Sequence, residues 1–217
     1  MNYFIVFDFE TDGVNPEVCN PVQLAAVPID PYNLEILEDS AFVSDMRPDG
    51  IDEEDFLKDN KRVDTIKWHA KNQKCTFEEV IERWKKAPAK ELVWKNFSQY
   101  INKYNNKKTQ GNAPYAAGMN IKNFDLKIAE RLNEEYGIKR MFNYEYTDIR
   151  DWAFHALIWD NDLKRRNMDT LRKYLGLSMD NAHDALQDVI QEAQVISRYL
   201  SFYKNMFDKI RYKGCMK

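Results

Sequence analysis

Tyr3 to Phe7 is an unbroken aromatic and β-branched run, and it leads directly into Asp8 and Glu10 within VFDFETDG, Val6 to Gly13. Such a run specifies a buried strand, and the period-two alternation of a strand turns Asp8 and Glu10 to one side. Two like charges at the edge of a core are costly unless positive charge lies between them. A hard divalent cation such as Mg²⁺ or Mn²⁺, which takes oxygen ligands, would satisfy both. The alternative is a strand that ends in a solvated acidic turn, with Thr11, Asp12 and Gly13 making the turn. The DxE pair alone does not choose between them.

A chain of 217 residues with 44% hydrophobic and 31% charged residues can bury one core, so a single α/β domain over 1–217 is expected. The formal net charge of −3 argues against a protein that coats nucleic acid through bulk electrostatics, although a local metal site could still hold a phosphate backbone. Cys19, Cys75 and Cys215 are far apart and form no CxxC pair, which suits free thiols in a reducing compartment. The opening apolar run is broken at Asp8 and no later one approaches the length of a membrane span, so a cytoplasmic protein with no membrane partner is expected.

Strand patterns cover Tyr3–Phe7, Val22–Ile29 and Ile36–Val43, separated by Asn-Pro and Asp-Pro turns, which suggests an antiparallel start to a sheet. The charged segment at about 45–73 shows no clear period and reads as an irregular insertion with a short helix. Thr76 and Glu79 form a capping box before a helix, and a second helical stripe runs from Leu92 to Ile101. A short strand at Tyr115–Met119, a helix at Phe124–Tyr136 closed by Gly137, an edge strand at Tyr144–Asp148 and a helix at Ile149–Ile158 follow. A short helix at Asp169–Leu175 and one long helix from about 184 to 207 complete the pattern. Strands first, then strands interleaved with helices, pack most naturally as a mixed sheet flanked by helices.

Further acidic and histidine positions matter once a metal pair is suspected. Asp125 follows the Tyr115–Met119 strand at a helix start, where an acid is also simply favourable for the helix dipole. His183 and Asp188 open the long final helix, with Ala182 and Ala185 leaving room for close packing. His155 with Asp160 repeats the H-x4-D spacing, but large packing residues surround His155, so His183 is preferred. Tyr144 with Asp148 offers a tyrosine version of the spacing and is set aside because it follows Asp125 too closely.

FDFETDG, MNIKNFD and AHDALQDV, in this order, resemble the motifs of the DEDDh family of 3′-5′ exonucleases, the proofreading-subunit-like group. Met168 to Leu177 resembles the family's short helix before its histidine motif, and the likeness runs from Tyr3 to about Leu200. The resemblance implies a ribonuclease H-like fold, a mixed five-stranded sheet with three antiparallel strands first and then parallel ones. It implies two Mg²⁺ or Mn²⁺ ions held by Asp8, Glu10, Asp125 and Asp188, with Asp8 shared between them, and His183 as general base. Two such ions activate water and stabilise both oxygens of an in-line displacement, and a histidine can take the proton near neutral pH.

The same resemblance implies that Thr11 contacts the terminal 3′-hydroxyl and that Phe9 offers backbone there. Asn120 and Phe124 are candidates to pack around the last nucleotides. In the basic run of Lys164, Arg165, Arg166, Arg172 and Lys173, Arg165 and Arg166 are candidate phosphate contacts, a solvated face being the alternative. The expected reaction releases nucleoside 5′-monophosphates from a single-stranded 3′ end, with DNA favoured. Two alternatives stay open: an RNA exonuclease of the tRNA-trimming or oligoribonuclease type, and a catalytically silent domain of the same fold that only binds nucleic acid or a partner. Whether the enzyme acts alone or docks on a polymerase or other replication partner also stays open. Met119 stands where the family often has histidine.

Overall fold

Strand β1 (Phe4–Thr11) lies at the centre of a sheet ordered β3-β2-β1-β4-β5, with β2 spanning Pro21–Ile29, β3 Phe42–Asp45, β4 Tyr115–Gly118 and β5 Tyr146–Asp148. This computed structural model describes residues 1–106, 112–159, 165–178 and 185–210. β1 pairs antiparallel with β2 and β2 with β3, while β1–β4 and β4–β5 are parallel. This is the ribonuclease H-like arrangement of three antiparallel strands followed by parallel ones. Seven helices among the described residues flank it: α1 (Asn60–Asn72), α2 (Phe77–Lys86), α3 (Lys90–Asn102), α4 (Asp125–Tyr136), α5 (Ile149–Trp159), α6 (Met168–Leu175) and α7 (Ala185–Ile210).

Alternation along β1 divides the core in two. Ile5, Phe7 and Phe9 pack with Trp94 and Phe97 of α3 and Ile128 and Leu132 of α4. Val6 belongs to the opposite cluster, with Val189, Ala193 and Ile196 of α7 and Leu171 of α6. Asp8 and Glu10 continue the Val6 side, so strand geometry delivers both acids to the layer that contains α7.

β1 also outruns its parallel neighbour. Pairing with β4 covers Phe4 to Val6 only, whereas pairing with β2 extends to Thr11. The edge of β1 beyond Val6 therefore lacks a ladder on one side, and a backbone N–H there needs another acceptor. The parallel strands stop at this point and leave an opening at the sheet's end, the position where open α/β sheets bind ligands.

Two expectations need correction. The strand expected over Ile36–Val43 is confined to Phe42–Asp45, with Ile36 making one isolated bridge to Ile29. Glu38, Asp39 and Ser40 form a 3-10 turn instead, as short polar residues with strong turn preference do. The insertion at about 45–73 is more ordered than its sequence suggested. It holds a 3-10 turn at Phe56–Lys58 and then α1, thirteen residues long, capped by the Asp59 side chain accepting from the Lys61 N–H. Its period was hidden because α1 buries only Ile66, His69 and Ala70.

A buried ion pair ties α1 to the end of β1. Asp12 accepts from the Asn20 backbone N–H at 2.7 Å, from Asn20 Nδ2 at 2.9 Å and from Arg62 Nε at 2.9 Å. Arg62 also stacks 4.4 Å from the Phe56 ring centre and donates to the Phe56 carbonyl at 3.0 Å. Asp12→Ala should therefore cost roughly 2–4 kcal/mol in a urea melt, because it strands buried donors. Lys95→Ala, which breaks the exposed Lys95–Glu91 pair on α3, should be nearly neutral. Equal losses in the two variants would contradict this assignment.

Candidate active site

Four carboxylates converge at the open end of the sheet from three separate elements. Asp8 comes from β1, Asp125 from the first turn of α4, and Asp188 and Glu192 from α7. Asp188 and Glu192 are four residues apart and so share one face of the helix. Asp125 Oδ1 accepts the Phe9 N–H at 3.0 Å, filling the place that β4 leaves open on the edge of β1. Glu192 Oε2 accepts the Met119 N–H at 3.1 Å just after β4.

Glycine at 118 allows this approach. A Cβ there would lie 3.2 Å from the Phe7 carbonyl oxygen and 3.3 Å from Glu192 Oε2, tighter than packed side chains normally come.

The electrostatics follow from this crowding. Burial, then the charge of Asp188, pushes the Asp8 carboxyl up to about 7, with Arg172 acting in the opposite sense. Asp125 is raised well above the ordinary carboxylate range by burial and then by Asp8, while the Phe9 N–H holds it down in part. Glu192 is raised by burial, then by Asp8, Asp125 and Asp188. Arg172 Nη2 donates to Asp188 Oδ1 at 2.6 Å.

Hard oxygen donors that repel one another in a desolvated pocket are the donor set that suits Mg²⁺ or Mn²⁺. As they stand, no three His, Cys, Asp or Glu side chains among the described residues meet in a closed metal-ligating group. Asp8, Glu10, Asp125 and Asp188 are the residues whose chemistry fits a cation, and Glu192 adds a buried carboxyl beside them.

Next to the acids lies a cleft of about 530 Å³ lined by Phe9, Glu10, Thr11, Trp68, His69 and Phe124, among others. Its lining is largely apolar, with Asp8 and Glu10 at one side. α1 supplies a wall. His69 is buried, with Nε2 2.9 Å from the Thr11 carbonyl oxygen and Nδ1 3.9 Å from Glu10 Oε2. A carbonyl can only accept, so Nε2 carries the proton and Nδ1 is turned to Glu10. Trp68, the preceding residue, is 42% exposed, and the same cleft runs along it.

The remaining sequence-based candidates fall into several groups. Thr11 lines the cleft, but its hydroxyl donates to the Gly13 carbonyl at 2.6 Å. Phe9 packs its ring against Phe7 and Trp94 and presents backbone to Asp125. Phe124 lines the cleft and also touches the core behind it. Asn120 has φ +59°, donates its N–H to Asp148 and accepts from Arg150 Nη1 at 2.7 Å, so its side chain is engaged in shaping the turn. Arg165 and Arg166 are exposed, and Arg166 sits over the Phe154 ring.

Arg172 departs from the reading of its run, being 2% exposed. His183 lies outside the described residues. Of the decoys, His155 is exposed on α5 beside Phe154, Tyr144 is exposed, and Asp148 accepts from the Asn120 and Arg150 N–H groups. Asp160 is outside the described residues.

Sequence reading missed Glu192, His69 and Trp68. Glu192 carried a signal: an acid one turn after Asp188 and next to the apolar Val189 and Ala193 of a packed helix. His69 and Trp68 carried none, since only the fold brings α1 to the end of β1.

A family model described as the 3′-5′ exoribonuclease Rv2179c-like domain matches residues 3–200. No curated protein sequence matches the chain significantly. Among solved structures, E. coli Exonuclease I in complex with a dT13 oligonucleotide superposes with a TM-score of 0.69 at 18% identity, covering 96% of this chain and 43% of that one. The zinc-ion-bound E. coli Exonuclease I–ssDNA complex gives 0.68 at 18%, covering 96% and 42%. Cell-death related nuclease 4 gives 0.67 at 17%, covering 93% and 64%. The chain thus spans less than half the length of Exonuclease I, and at these identities the likeness shows the fold.

Raised carboxyls hold protons in the folded chain that the unfolded chain releases. For Asp8 the resulting stability is complete below its ordinary value of 3.8 and is lost as pH rises through about 7. In EDTA the protein should therefore lose roughly 2 kcal/mol between about pH 5 and pH 8, read by thermal or urea unfolding. Glu192→Gln, which removes the charge but keeps an acceptor for the Met119 N–H, should flatten that fall. Stability that rises over the interval would contradict the assignment.

Proposed function

Because the chain belongs to the 3′-5′ exoribonuclease Rv2179c-like domain family, we propose that it is a metal-dependent 3′-5′ exonuclease of the DEDDh type that removes nucleotides from single-stranded 3′ ends. The observation that carries this reading is the convergence of Asp8, Asp125 and Asp188 from β1, α4 and α7 into one carboxylate cluster beside an aromatic cleft. RNA is the substrate class that the family's description favours. DNA, the sequence-based expectation, is the second reading, supported by the ssDNA complexes of Exonuclease I.

Asp8, Glu10, Asp125 and Asp188 would hold the Mg²⁺ or Mn²⁺ ions. Bound there, the ions supply a more acidic water and positive charge at the phosphorus. The protein's own part begins with the substrate's last base, which enters the cleft between Trp68 and Phe124, where stacking tolerates any base. Backbone near Phe9 and Thr11 meets the terminal sugar. The Phe9–Asp125 hydrogen bond keeps one of the acids from swinging away as charge develops. His183, assigned from its place in AHDALQDV, accepts the proton of the attacking water. Arg165 and Arg166 would track the phosphates behind the terminal nucleotide.

End-labelled single-stranded RNA and DNA, incubated with Mg²⁺, Mn²⁺ or EDTA, provide the test. RNA should shorten from its 3′ end only with metal, and more slowly if at all for DNA. Asp8→Ala should abolish the ladder and His183→Ala should slow it by about two to four decades, whereas His155→Ala should leave the rate unchanged. Trp68→Ala should weaken binding by about tenfold, with a smaller effect on the chemical step. No shortening of either strand with any metal, or full activity in Asp8→Ala, would overturn the proposal.

A further inference from the structure

Arg172 is buried where its neighbours in sequence are not: Arg165, Arg166 and Lys173 are exposed, and the Arg172 side chain is 2% exposed. A guanidinium removed from water is costly unless each part of its fork is engaged. Here three nitrogens find three different partners. Nη2 donates to Asp188 Oδ1 at 2.6 Å, Nε to Gln191 Oε1 at 2.5 Å and Nη1 to Asp169 Oδ1 at 3.0 Å. Gln191 donates in turn to the Ser178 carbonyl at 3.0 Å. The fork thus ties the first turns of α7 to α6, Gln191 continues the link to Ser178 just after α6, and the fork's direction is fixed by the geometry of a planar group.

Asp188 belongs to the carboxylate cluster, so the fork also sets what that cluster contains. Asp8, Asp125, Glu192 and Asp188 bear on one another, and Arg172 acts on Asp8 against the charge of Asp188. A buried cluster of this kind, left to itself, spreads apart or takes up protons. A fixed positive charge at its edge opposes both.

We propose that Arg172 is a positioning residue that serves as the resident counter-ion of the cluster, holding the Asp188 carboxylate beside Asp8 so that the site stays assembled before a divalent cation arrives. The proposal rests on the metal-dependent reading of the site, and it fails by a different result. The arrangement has a physical rationale: until a cation enters, the fork supplies the positive charge that keeps the repelling carboxylates together. It also gives the interior of α6 a part in the chemistry.

Thermal unfolding of the wild type, Arg172→Met and Arg172→Lys in EDTA and in saturating Mg²⁺ tests it. Arg172→Met should melt roughly 5–10 °C below wild type in EDTA. Its Mg²⁺-induced rise should exceed that of the wild type, because the added ion replaces the missing charge. Arg172→Lys, which keeps the charge and loses the fork, should recover part of the loss in EDTA while turning over RNA more slowly than wild type. Equal Mg²⁺-induced rises in the wild type and Arg172→Met overturn the proposal and leave metal binding intact. A wild type that gains no stability from Mg²⁺ or Mn²⁺ overturns the metal-dependent reading and this proposal with it. Should Arg172→Met not fold, Arg172→Gln, which loses the charge but keeps a polar group, is compared with wild type in the same two buffers, and an equal Mg²⁺ response in that pair overturns the proposal.

Discussion

Repulsion among crowded, largely desolvated carboxylates is the interaction around which the rest of this structure is arranged. Asp8, Asp125, Asp188 and Glu192 occupy one end of the sheet, and burial together with their mutual charge raises the carboxyls of Asp8, Asp125 and Glu192. Such a group assembles only if other bonds hold each member in place. The Phe9 N–H holds Asp125, the Met119 N–H holds Glu192, and the Arg172 fork holds Asp188. Each of these partners exists because of a feature of the sheet: β1 outruns β4, β4 ends at a glycine, and α6 packs against the start of α7. The hydrophobic core contributes the stability against which this repulsion is held, with the aromatic layer of Phe7, Phe97 and Phe142 fixing one face of β1.

The insertion at 45–73 completes the site from the other side. Without α1 the cleft beside Glu10 would be open to water along one wall. With it, the Asp12–Arg62 pair ties the helix to the end of β1, and His69 and Trp68 follow from their places on that helix. The acidic turn Thr11-Asp12-Gly13 is thus both a turn and an anchor. Its buried aspartate has a structural part beside acids for which we propose a chemical one.

How much of this was legible in the sequence depends on the range of the interaction involved. β1, the capping box of α2, the glycine ends of α4 and α6, and the length of α7 are set by local pattern, and the structure has them close to where that pattern places them. Asp8 and Glu10 were visible because a strand that ends in two acids breaks its own pattern. Asp125 and Asp188 emerged from order and spacing in motifs, and the fold places both beside Asp8. Arg172 was misread because a basic residue within a basic run carries no local mark of burial, and its partners Asp188 and Gln191 lie sixteen and nineteen residues further on. α1 was underestimated for a related reason: only three of its thirteen residues are buried, too few to print a helical period. Ile36 to Ala41 shows the reverse case, where apolar residues suggested a strand and the polar Glu38-Asp39-Ser40 turn prevailed.

We assign the carboxylates around Asp8 as a cation site and not merely a strained corner of the core. Anomalous diffraction from crystals grown with Mn²⁺ addresses it directly, since the ion is located without reference to activity. Peaks within coordination distance of the Asp8 carboxylate, shared with Glu10, Asp125 or Asp188, are the expected result. Manganese bound elsewhere on the protein, with no peak at Asp8 in well-ordered crystals, would contradict it.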